Sequence, residues 1–336
     1  MTFTLRDFLY FLVLVSAANS LPSVPDSAWG KATTLRLNDG NEIPVLGLGT
    51  SVRGGDLDVM QKAIEAAIAA GYRHIDTAVY YNTEKRVGLG VKNKIKDGTI
   101  NREDVFITTK LTNNDHRFEQ VVPALRRSLE NLGMDYVDLY LVHSPIAEDE
   151  HGNFTNTHFL ETWKGMEEAH GLGLTKSIGV SNFNESQIQQ ILDACKVKPV
   201  VNQVEVNPNN VQKKLVSFCK DKDIQVVAYC PLGSMAEKRF PNGTHTSNLD
   251  PRLDDPVLTK IGSKYNKTTV QVVLRYLIDR DLITIPKSVT PSRIQQNIDI
   301  FDFKLTLEEI AKIDDFNQDY RIFHLLDWSP SPYYPF

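Results

Sequence analysis

The 336-residue sequence predicts an α/β protein folded as an eight-stranded (β/α)8 barrel, or TIM barrel, and three observations lead to this fold class. Short apolar strands alternate with amphipathic helices through eight strand–helix units. Strands such as residues 105–109 and 137–142 are apolar almost throughout, as burial on both faces of a parallel sheet requires. The Gly-x-Gly segments at residues 47–49, 88–90 and 171–173 all lack the third glycine of an open dinucleotide-binding sheet.

The elements follow one another in a regular order. Residues 33–37 and 42–46 alternate in polarity around an Asp-Gly turn, so we expect an N-terminal hairpin. Barrel strands are expected at residues 45–48, 74–78, 105–110, 136–143, 177–180, 200–206, 225–229 and 282–286. Helices are expected at residues 58–70, 84–96, 119–132, 159–169, 185–195, 212–220, 256–265, 269–280, 291–298 and 306–314, before an aromatic C-terminal tail that ends at Phe336.

The N-terminus has the pattern of a secretory signal peptide. Arg6 precedes an apolar run, Phe8–Ala18, which is too short to span a bilayer and ends in small residues. We expect cleavage after Ser20, a leader at residues 21–32, one barrel domain at residues 33–336, and an extracellular protein without membrane contact. An uncleaved anchor or a simple extension is the alternative. N-glycosylation sequons begin at Asn153, Asn184, Asn242 and Asn266.

Composition excludes several classes of protein. The formal charge is -5 and no basic run exceeds two residues, so nucleic acid is not an expected partner. The 3 cysteines, Cys195, Cys219 and Cys230, form neither a disulfide framework nor a CxxC metal site. Since a domain of this size buries a large core, we expect it to fold without disulfides or a metal. We also expect the protein to be a monomer.

Three charged or titratable residues end consecutive predicted strands. Asp76, Lys110 and His143 are each about one strand–helix repeat apart, and Tyr81 lies in the loop after Asp76. Because the carboxyl ends of barrel strands open onto one mouth, we expect these side chains to lie together. Any one of them alone would be read as a capping, surface or core residue. Together they predict an active site.

The chemistry of this group points to a proton donor. An ammonium about 4 Å from a phenol, at an effective dielectric of about 20, supplies about 4 kcal/mol, enough to bring the Tyr81 pKa toward neutrality. Asp76 would hold Lys110 charged, and His143 would bind a substrate oxygen as neutral imidazole. The group has no side-chain nucleophile. It suits hydride addition to a carbonyl, with a cofactor supplying the hydride.

At these residues the sequence resembles the aldo-keto reductase family, from about Thr34 to Phe336. The matching segments are Gly71–Ala78 with Tyr81, Phe106–Lys110, Met134–His143, Ile178–Asn184, Val201–Glu205, Ala228–Ser234 and Ile285–Pro291. The resemblance implies a barrel that binds NADPH without a Rossmann motif. It also implies that Tyr81 donates the proton, that Lys110 and Asp76 tune it, and that His143 orients the carbonyl substrate.

The cofactor site has one part that the residues themselves indicate. Pro291 opens a predicted helix after Thr290, and Lys287 and Arg293 flank its N-terminus, which makes an anion site. The resemblance assigns this site to the 2′-phosphate of NADPH. It implies the following cofactor-binding residues: Gly49, Thr50, Ser51, Ser181, Asn182, Gln203, Tyr229, Leu232, Ser234, Lys287, Ser288, Arg293, Gln296 and Asn297.

The sequence departs from many relatives at the substrate pocket. Ser51, Thr112 and Ser144 stand where such relatives often have tryptophan, which predicts a wide cleft unless the tail covers it. Together with the signal peptide, this resembles the secreted, ecdysteroid-processing members of the family, and an ecdysteroid ketone is the expected substrate. The alternatives are a general aldehyde or aldose-type reductase and a non-catalytic NADPH-binding barrel. A metal-dependent hydrolase would need a His-x-His pair, which the sequence lacks.

Overall fold

The computed structural model describes residues 33–52, 57–235 and 249–336. The expected signal peptide and leader, residues 1–32, lie outside the described residues, as does the sequon at Asn242. Within the described residues, no helix combines the length and the apolar character that crossing a membrane requires.

The chain described begins with the predicted hairpin. Strands β1 (Thr34–Arg36) and β2 (Glu42–Pro44) pair in antiparallel fashion. The turn between them contacts the barrel, because the Asn38 side-chain amide donates to the backbone oxygens of Pro199 at 3.0 Å and Asp223 at 2.8 Å. The hairpin therefore covers the end of the barrel at which the strands begin.

Eight parallel strands form the barrel wall. In chain order they are β3 (Leu48–Gly49), β4 (His74–Asp76), β5 (Phe106–Leu111), β6 (Val137–Val142), β7 (Thr175–Ser181), β8 (Val201–Glu205), β9 (Gln225–Tyr229) and β10 (Ile283–Thr284). Each strand pairs in parallel with its neighbours in the sequence. The connections are therefore all strand–helix–strand crossovers, as the sequence predicts.

Backbone hydrogen bonds close this sheet into a ring. The Gly47 nitrogen donates to the Thr284 oxygen at 2.9 Å, and the Thr284 nitrogen donates to the Val45 oxygen at 2.9 Å. The residues predicted as the first strand thus have two partners: Leu46 pairs with the last strand, and β3 itself pairs with β4. The predicted (β/α)8 barrel is confirmed.

The helices surround this ring. They are α1 (Leu57–Ala70), α2 (Glu84–Lys96), α3 (Phe118–Leu132), α4 (Phe159–Gly171), α5 (Glu185–Ala194), α6 (Lys213–Asp221), α7 (Pro256–Tyr265), α8 (Thr269–Asp279), α9 (Pro291–Ile298) and α10 (Leu307–Asp314). Several begin where the sequence has a capping signal: reciprocal side-chain and backbone bonds cap α5 at Asn184, α8 at Thr268 and α10 at Thr306. Gly133, with φ of 63°, ends α3.

The apolar side chains form two layers. Phe106, Leu139, Leu141 and Val227 belong to a cluster that fills the barrel interior. The opposite faces of the strands pack against the helices in a larger cluster that includes Tyr140. Both faces of the sheet are therefore buried, which explains the nearly continuous apolar strands. The charged residues Asp76 and Lys110 lie at or near the ends of β4 and β5, where the mouth opens.

Candidate active site

The floor of the mouth is a buried ion pair. Asp76 ends β4 and is 1% exposed, while Lys110 lies near the end of β5 and is 0% exposed. The Lys110 Nζ lies 2.6 Å from the Asp76 Oδ1 and also donates to the backbone oxygen of Thr77 at 2.9 Å. Burial by itself would lower the pKa of Lys110, but the charge of Asp76 raises it. Lys110 is therefore positively charged in a site that excludes water.

Tyr81 lies directly over this cation. The Lys110 Nζ is 5.0 Å from the centroid of the Tyr81 ring. Burial raises the pKa of Tyr81 above its ordinary value, and the charge of Lys110 opposes that rise without overcoming it. The expectation that Lys110 would lower the pKa of Tyr81 is wrong in its net direction. Removing a phenolate from water raises this pKa by more than the charge of Lys110 lowers it. The phenol is neutral at physiological pH and holds a proton that it can donate.

His143 completes the four-residue group predicted from the sequence. It follows β6, is half-buried, and its ring lies edge-on to the Tyr81 ring with the centroids 5.6 Å apart. Burial, together with the nearby charge of Lys110, lowers the pKa of His143 to about 3. The imidazole is therefore neutral and available as a hydrogen-bond donor or acceptor, as expected.

A polar network extends from this group across the mouth. The Gln203 amide on β8 donates to the Asp76 Oδ2 at 2.8 Å. The Asn182 amide donates to the backbone oxygen of His143 at 2.9 Å, and the Tyr229 hydroxyl donates to the Asn182 Oδ1 at 2.8 Å. Asn182 has φ of 61°, a left-handed conformation that asparagine tolerates better than most residues. The expected carboxamide-binding residues thus also hold the four-residue group in place.

Ser181 belongs to the same network. Its hydroxyl donates to the backbone oxygen of Gln203 at 2.8 Å, and the Asn182 amide donates back to that hydroxyl at 3.2 Å. Ser181 is therefore fixed at the end of β7 between the Asn182 side chain and the Gln203 backbone. The three residues predicted from the sequence to hold one carboxamide are brought together.

Two of the expected cofactor residues at the end of β3, Gly49 and Thr50, make contacts that hold the backbone in place. Gly49 is a glycine of close approach, because a Cβ there would lie 2.9 Å from the backbone oxygen of Ile285. The Thr50 hydroxyl donates to the backbone oxygen of Asp76 at 2.9 Å and lies buried. Thr50 thus joins the ends of β3 and β4 through its side chain, while Ser51 is exposed at the mouth.

The loop after β9 carries two further expected cofactor residues. Leu232 is half-buried, and Ser234 is buried with its hydroxyl donating to the backbone oxygen of Pro251 at 2.9 Å. Gly233 between them has φ of 53°, and a Cβ at Gly233 would lie 2.5 Å from the Asn209 Oδ1. A side chain at this position would push the loop outward, so the glycine lets the chain turn tightly at the mouth.

The expected phosphate site is present as a helix start after β10. Pro291 is at the N-terminus of α9, although the Thr290 side chain does not cap the helix and the Ser288 hydroxyl instead accepts from the Thr290 nitrogen at 3.2 Å. Lys287 and Arg293 are exposed on either side of this turn. Farther along α9, Gln296 is exposed and Asn297 is buried.

These residues fit a nicotinamide dinucleotide with a ribose phosphate. Amide groups of Asn182 and Gln203 at one end of the cleft match a carboxamide, and the half-buried ring of Tyr229 offers a face for a planar heterocycle. Two cations at a helix N-terminus match a phosphate at the other end.

Ser51, Thr112 and Ser144 place no aromatic ring on the substrate side of the mouth. Ser144 is buried, its hydroxyl donating to the Asn113 Oδ1 at 2.8 Å and accepting from the Ile146 nitrogen at 3.1 Å. Ser144 therefore braces two loops and does not line the cleft. The exposed aromatic ring next to the group is Tyr80, 75% exposed, which lies edge-on to His143 at 6.3 Å.

The C-terminal tail, residues 315–336, lies against the mouth beside β8 and β9. The Phe323 ring packs edge-on against Tyr229 at 5.9 Å. Farther along, the Asn184 side chain donates to the Pro335 oxygen at 3.2 Å while its Oδ1 accepts from Gln187. The tail therefore folds back over part of the site. The side chain of Asn184, the first residue of a sequon, is engaged in hydrogen bonds.

Sequence reasoning missed two groups at this site. The Thr77 oxygen accepts from Lys110, which the sequence does not signal. Glu205, which ends β8, is 0% exposed and binds the tail. A carboxylate at the end of an apolar strand was the available signal, and it lay inside a segment already singled out. In the part of the chain that the structure describes, no three His, Cys, Asp or Glu side chains converge to hold a metal ion.

Comparison with known proteins agrees with this geometry. The aldo/keto reductase family model matches residues 45–318. Aldo-keto reductase AKR2E4 of Bombyx mori is 48% identical over 309 residues, which are 91% of this chain and 99% of that protein. Human aldo-keto reductase family 1 member C1 is 44% identical over 323 residues, 91% of this chain and 98% of that protein. A crystal structure of the Bombyx mori AKR2E4 protein in complex with NADP has a TM-score of 0.87, with the same 48% identity, covering 91% of this chain and 99% of that one.

Proposed function

The chain belongs to the aldo/keto reductase family, and from that premise we propose that it is a secreted, monomeric ketone reductase whose substrate is an ecdysteroid. As a member of this family, the protein is an NADP(H)-dependent oxidoreductase that acts on a small-molecule carbonyl. In the proposed reaction Tyr81 is the proton donor, and the reacting carbonyl is the 3-keto group of 3-dehydroecdysone, which is reduced to ecdysone.

The buried pair of Asp76 and Lys110 beneath Tyr81 is the observation that carries the mechanism. Lysine and aspartate are almost never fully buried unless they are paired, and ionisable groups in such surroundings cluster at functional sites. Their arrangement places a fixed positive charge under a phenol, where a negative charge would develop as the proton leaves. The cation thus stabilises the phenolate formed during the reaction more than the phenol that precedes it.

The reduction then follows from the protonation states of the residues. Tyr81 is neutral and donates its proton to the carbonyl oxygen, while neutral His143 hydrogen-bonds the same oxygen and orients it. NADPH, when bound, supplies the hydride to the carbonyl carbon. Lys110 holds the phenolate that remains, and Asp76 with Gln203 keeps Lys110 in place.

The shape of the mouth supports a bulky substrate. Ser51 is exposed, Thr112 is half-buried, and Ser144 turns away from the cleft, so none of the three narrows it as an indole would. The exposed Tyr80 ring offers an apolar surface beside His143. A bulky polycyclic ketone can lie along such a surface with one end at Tyr81.

A carbonyl panel tests this proposal. Purified protein is given NADPH with 3-dehydroecdysone, with other steroid ketones, and with short and aromatic aldehydes, and NADPH oxidation is followed by absorbance. We expect the highest kcat/KM with the ecdysteroid. Turnover confined to small aldehydes would support the general aldehyde reductase instead, and tight NADPH binding without any turnover would support the non-catalytic barrel.

A further inference from the structure

Glu205 is a buried carboxylate that the proposed mechanism does not use. It ends β8 and is 0% exposed. Its Oε1 accepts from the Ile322 nitrogen at 2.8 Å and from the Asn207 amide at 3.2 Å, and its Oε2 accepts from the Phe323 nitrogen at 2.8 Å. These four residues are called the tail clamp below. One side chain thus binds two consecutive backbone N–H groups of the C-terminal tail.

The tail clamp needs a charged carboxylate. A neutral amide or acid in its place offers fewer acceptor positions and turns a donor toward a backbone N–H. The titratable and charged groups that face Glu205 are Arg321 from the tail and Tyr229 and Cys230 from the end of β9. Burial raises the pKa of Glu205, whereas the two backbone N–H groups and Arg321 act to lower it.

Contacts lead from the tail clamp to the reacting group. The Phe323 ring packs edge-on against Tyr229, whose hydroxyl donates to Asn182. Asn182 in turn donates to the backbone oxygen of His143. The backbone atom that Glu205 binds and the ring that contacts Tyr229 belong to the same residue, Phe323. The tail clamp therefore holds the residue whose side chain contacts Tyr229, the proposed nicotinamide platform.

We infer that Glu205 is a positioning residue: by binding the Ile322 and Phe323 backbone it holds the C-terminal tail on the mouth and sets the wall of the substrate pocket at Phe323. This inference rests on the proposed function for its kinetic consequence but not for the tail contact itself. It makes substrate affinity depend on a residue that touches neither substrate nor cofactor.

The test is Glu205→Gln in the full chain, with two readouts. The first is hydrogen exchange at the peptide that contains Ile322 and Phe323, measured without substrate, where we expect exchange to quicken by about tenfold as one charged hydrogen bond is lost. The second is steady-state kinetics, where we expect KM for the bulky ketone to rise about tenfold while kcat falls by less than about threefold.

The pH dependence supplies a readout that a merely structural role would not move. Because burial raises the Glu205 pKa, the carboxylate is ionised above that pKa and protonates as the pH falls through it, which removes an acceptor from the tail clamp. The wild-type KM for the ketone should therefore rise as the pH is lowered. In Glu205→Gln the KM is expected to be higher and independent of pH over the same range.

Two matched variants keep the result interpretable. Glu309→Gln removes another buried carboxylate, which binds Lys264 and Tyr265 on the helical layer, and should leave tail exchange and KM unaltered. Phe323→Ala keeps the backbone N–H in the tail clamp and removes the ring from Tyr229. It should raise KM without quickening exchange, and it remains informative if Glu205→Gln does not fold.

The outcomes separate this inference from the proposed function. Unchanged exchange at residues 322–323 in Glu205→Gln, or an unchanged KM for the bulky ketone in that variant, would overturn the role of Glu205. A wild-type protein that oxidises no NADPH with any carbonyl would overturn the proposed function, and the exchange measurement would still report on the tail clamp.

Discussion

The two ends of the barrel use the same residue types for different purposes. At the mouth, Asp76 pairs with Lys110 beneath the ring of Tyr81. At the opposite end, Asp138 near the start of β6 binds Arg102 and Lys176 at 2.9 Å each. Those two cations lie over the ring of Tyr136, at 4.2 and 4.5 Å from its centroid.

The difference between the two clusters is access to water. Both members of the pair at the mouth are buried, whereas the side chains of Arg102 and Lys176 are 17% and 44% exposed. Where water reaches the cations, the cluster ties strand starts together and the Tyr136 ring serves as a surface for them. Where water is excluded, the same charges act on a phenol proton. Barrels generally carry catalysis at the carboxyl ends of strands and stability at the other end.

The largest expected effect is the loss of the phenol at the mouth. Tyr81→Phe should lower kcat for carbonyl reduction by about 10³-fold, because no group remains to donate the proton, while NADPH binding is unchanged. Steady-state kinetics and fluorescence titration with NADPH measure the two quantities. Tyr136→Phe is the matched control at the other end and should change neither. Full turnover by Tyr81→Phe would remove the mechanism.

Removing one member of each ion pair should show how strongly burial affects the free energy of unfolding. Lys110→Met leaves Asp76 buried without its cation and should lower the free energy of unfolding by about 3–5 kcal/mol, along with kcat. Asp138→Asn leaves two cations that water can reach, so we expect a loss of about 1 kcal/mol and normal kcat. Urea denaturation checks both. Equal losses of stability would contradict the contrast between the two ends.

The smallest expected effect concerns exposed cations. Arg293→Ala should weaken NADPH binding by about tenfold and leave NADH binding unaltered, because the 2′-phosphate is the group that Arg293 is proposed to bind. Lys176→Ala removes an exposed cation from the opposite end and should affect neither dinucleotide. Isothermal titration gives the four dissociation constants. An Arg293→Ala variant with normal NADPH affinity would contradict the assignment of the phosphate site.

Much of the fold was accessible from sequence patterns. The helix predicted at residues 84–96 is present with those bounds as Glu84–Lys96, because its apolar spacing and its flanking loops agree. The strand predicted at 282–286 is only Ile283–Thr284, since pairing depends on the neighbouring strands and not on local apolar character alone. Strand ends are set by partners that a single segment does not reveal.

The residues of the site also differ in how far the sequence predicts their contacts. Asp76, Lys110 and His143 could be grouped in advance because parallel strands bring their carboxyl ends to one mouth. The tail partner of Glu205 could not, because the residues that it binds, Ile322 and Phe323, lie 117 and 118 positions away in the chain. The orientation of the Ser144 side chain, away from the cleft, likewise depends on Asn113, a residue of another loop.

The sequence by itself determined which chemical groups reach the mouth of the barrel, because the strand–helix repeat and the order of the strands follow from local patterns of polarity. Only the tertiary structure decided how those groups ionise and what covers them. A pKa depends on the water excluded and on the charges that surround a group in space, so the phenol of Tyr81 keeps its proton despite Lys110, and Glu205 holds the C-terminal tail.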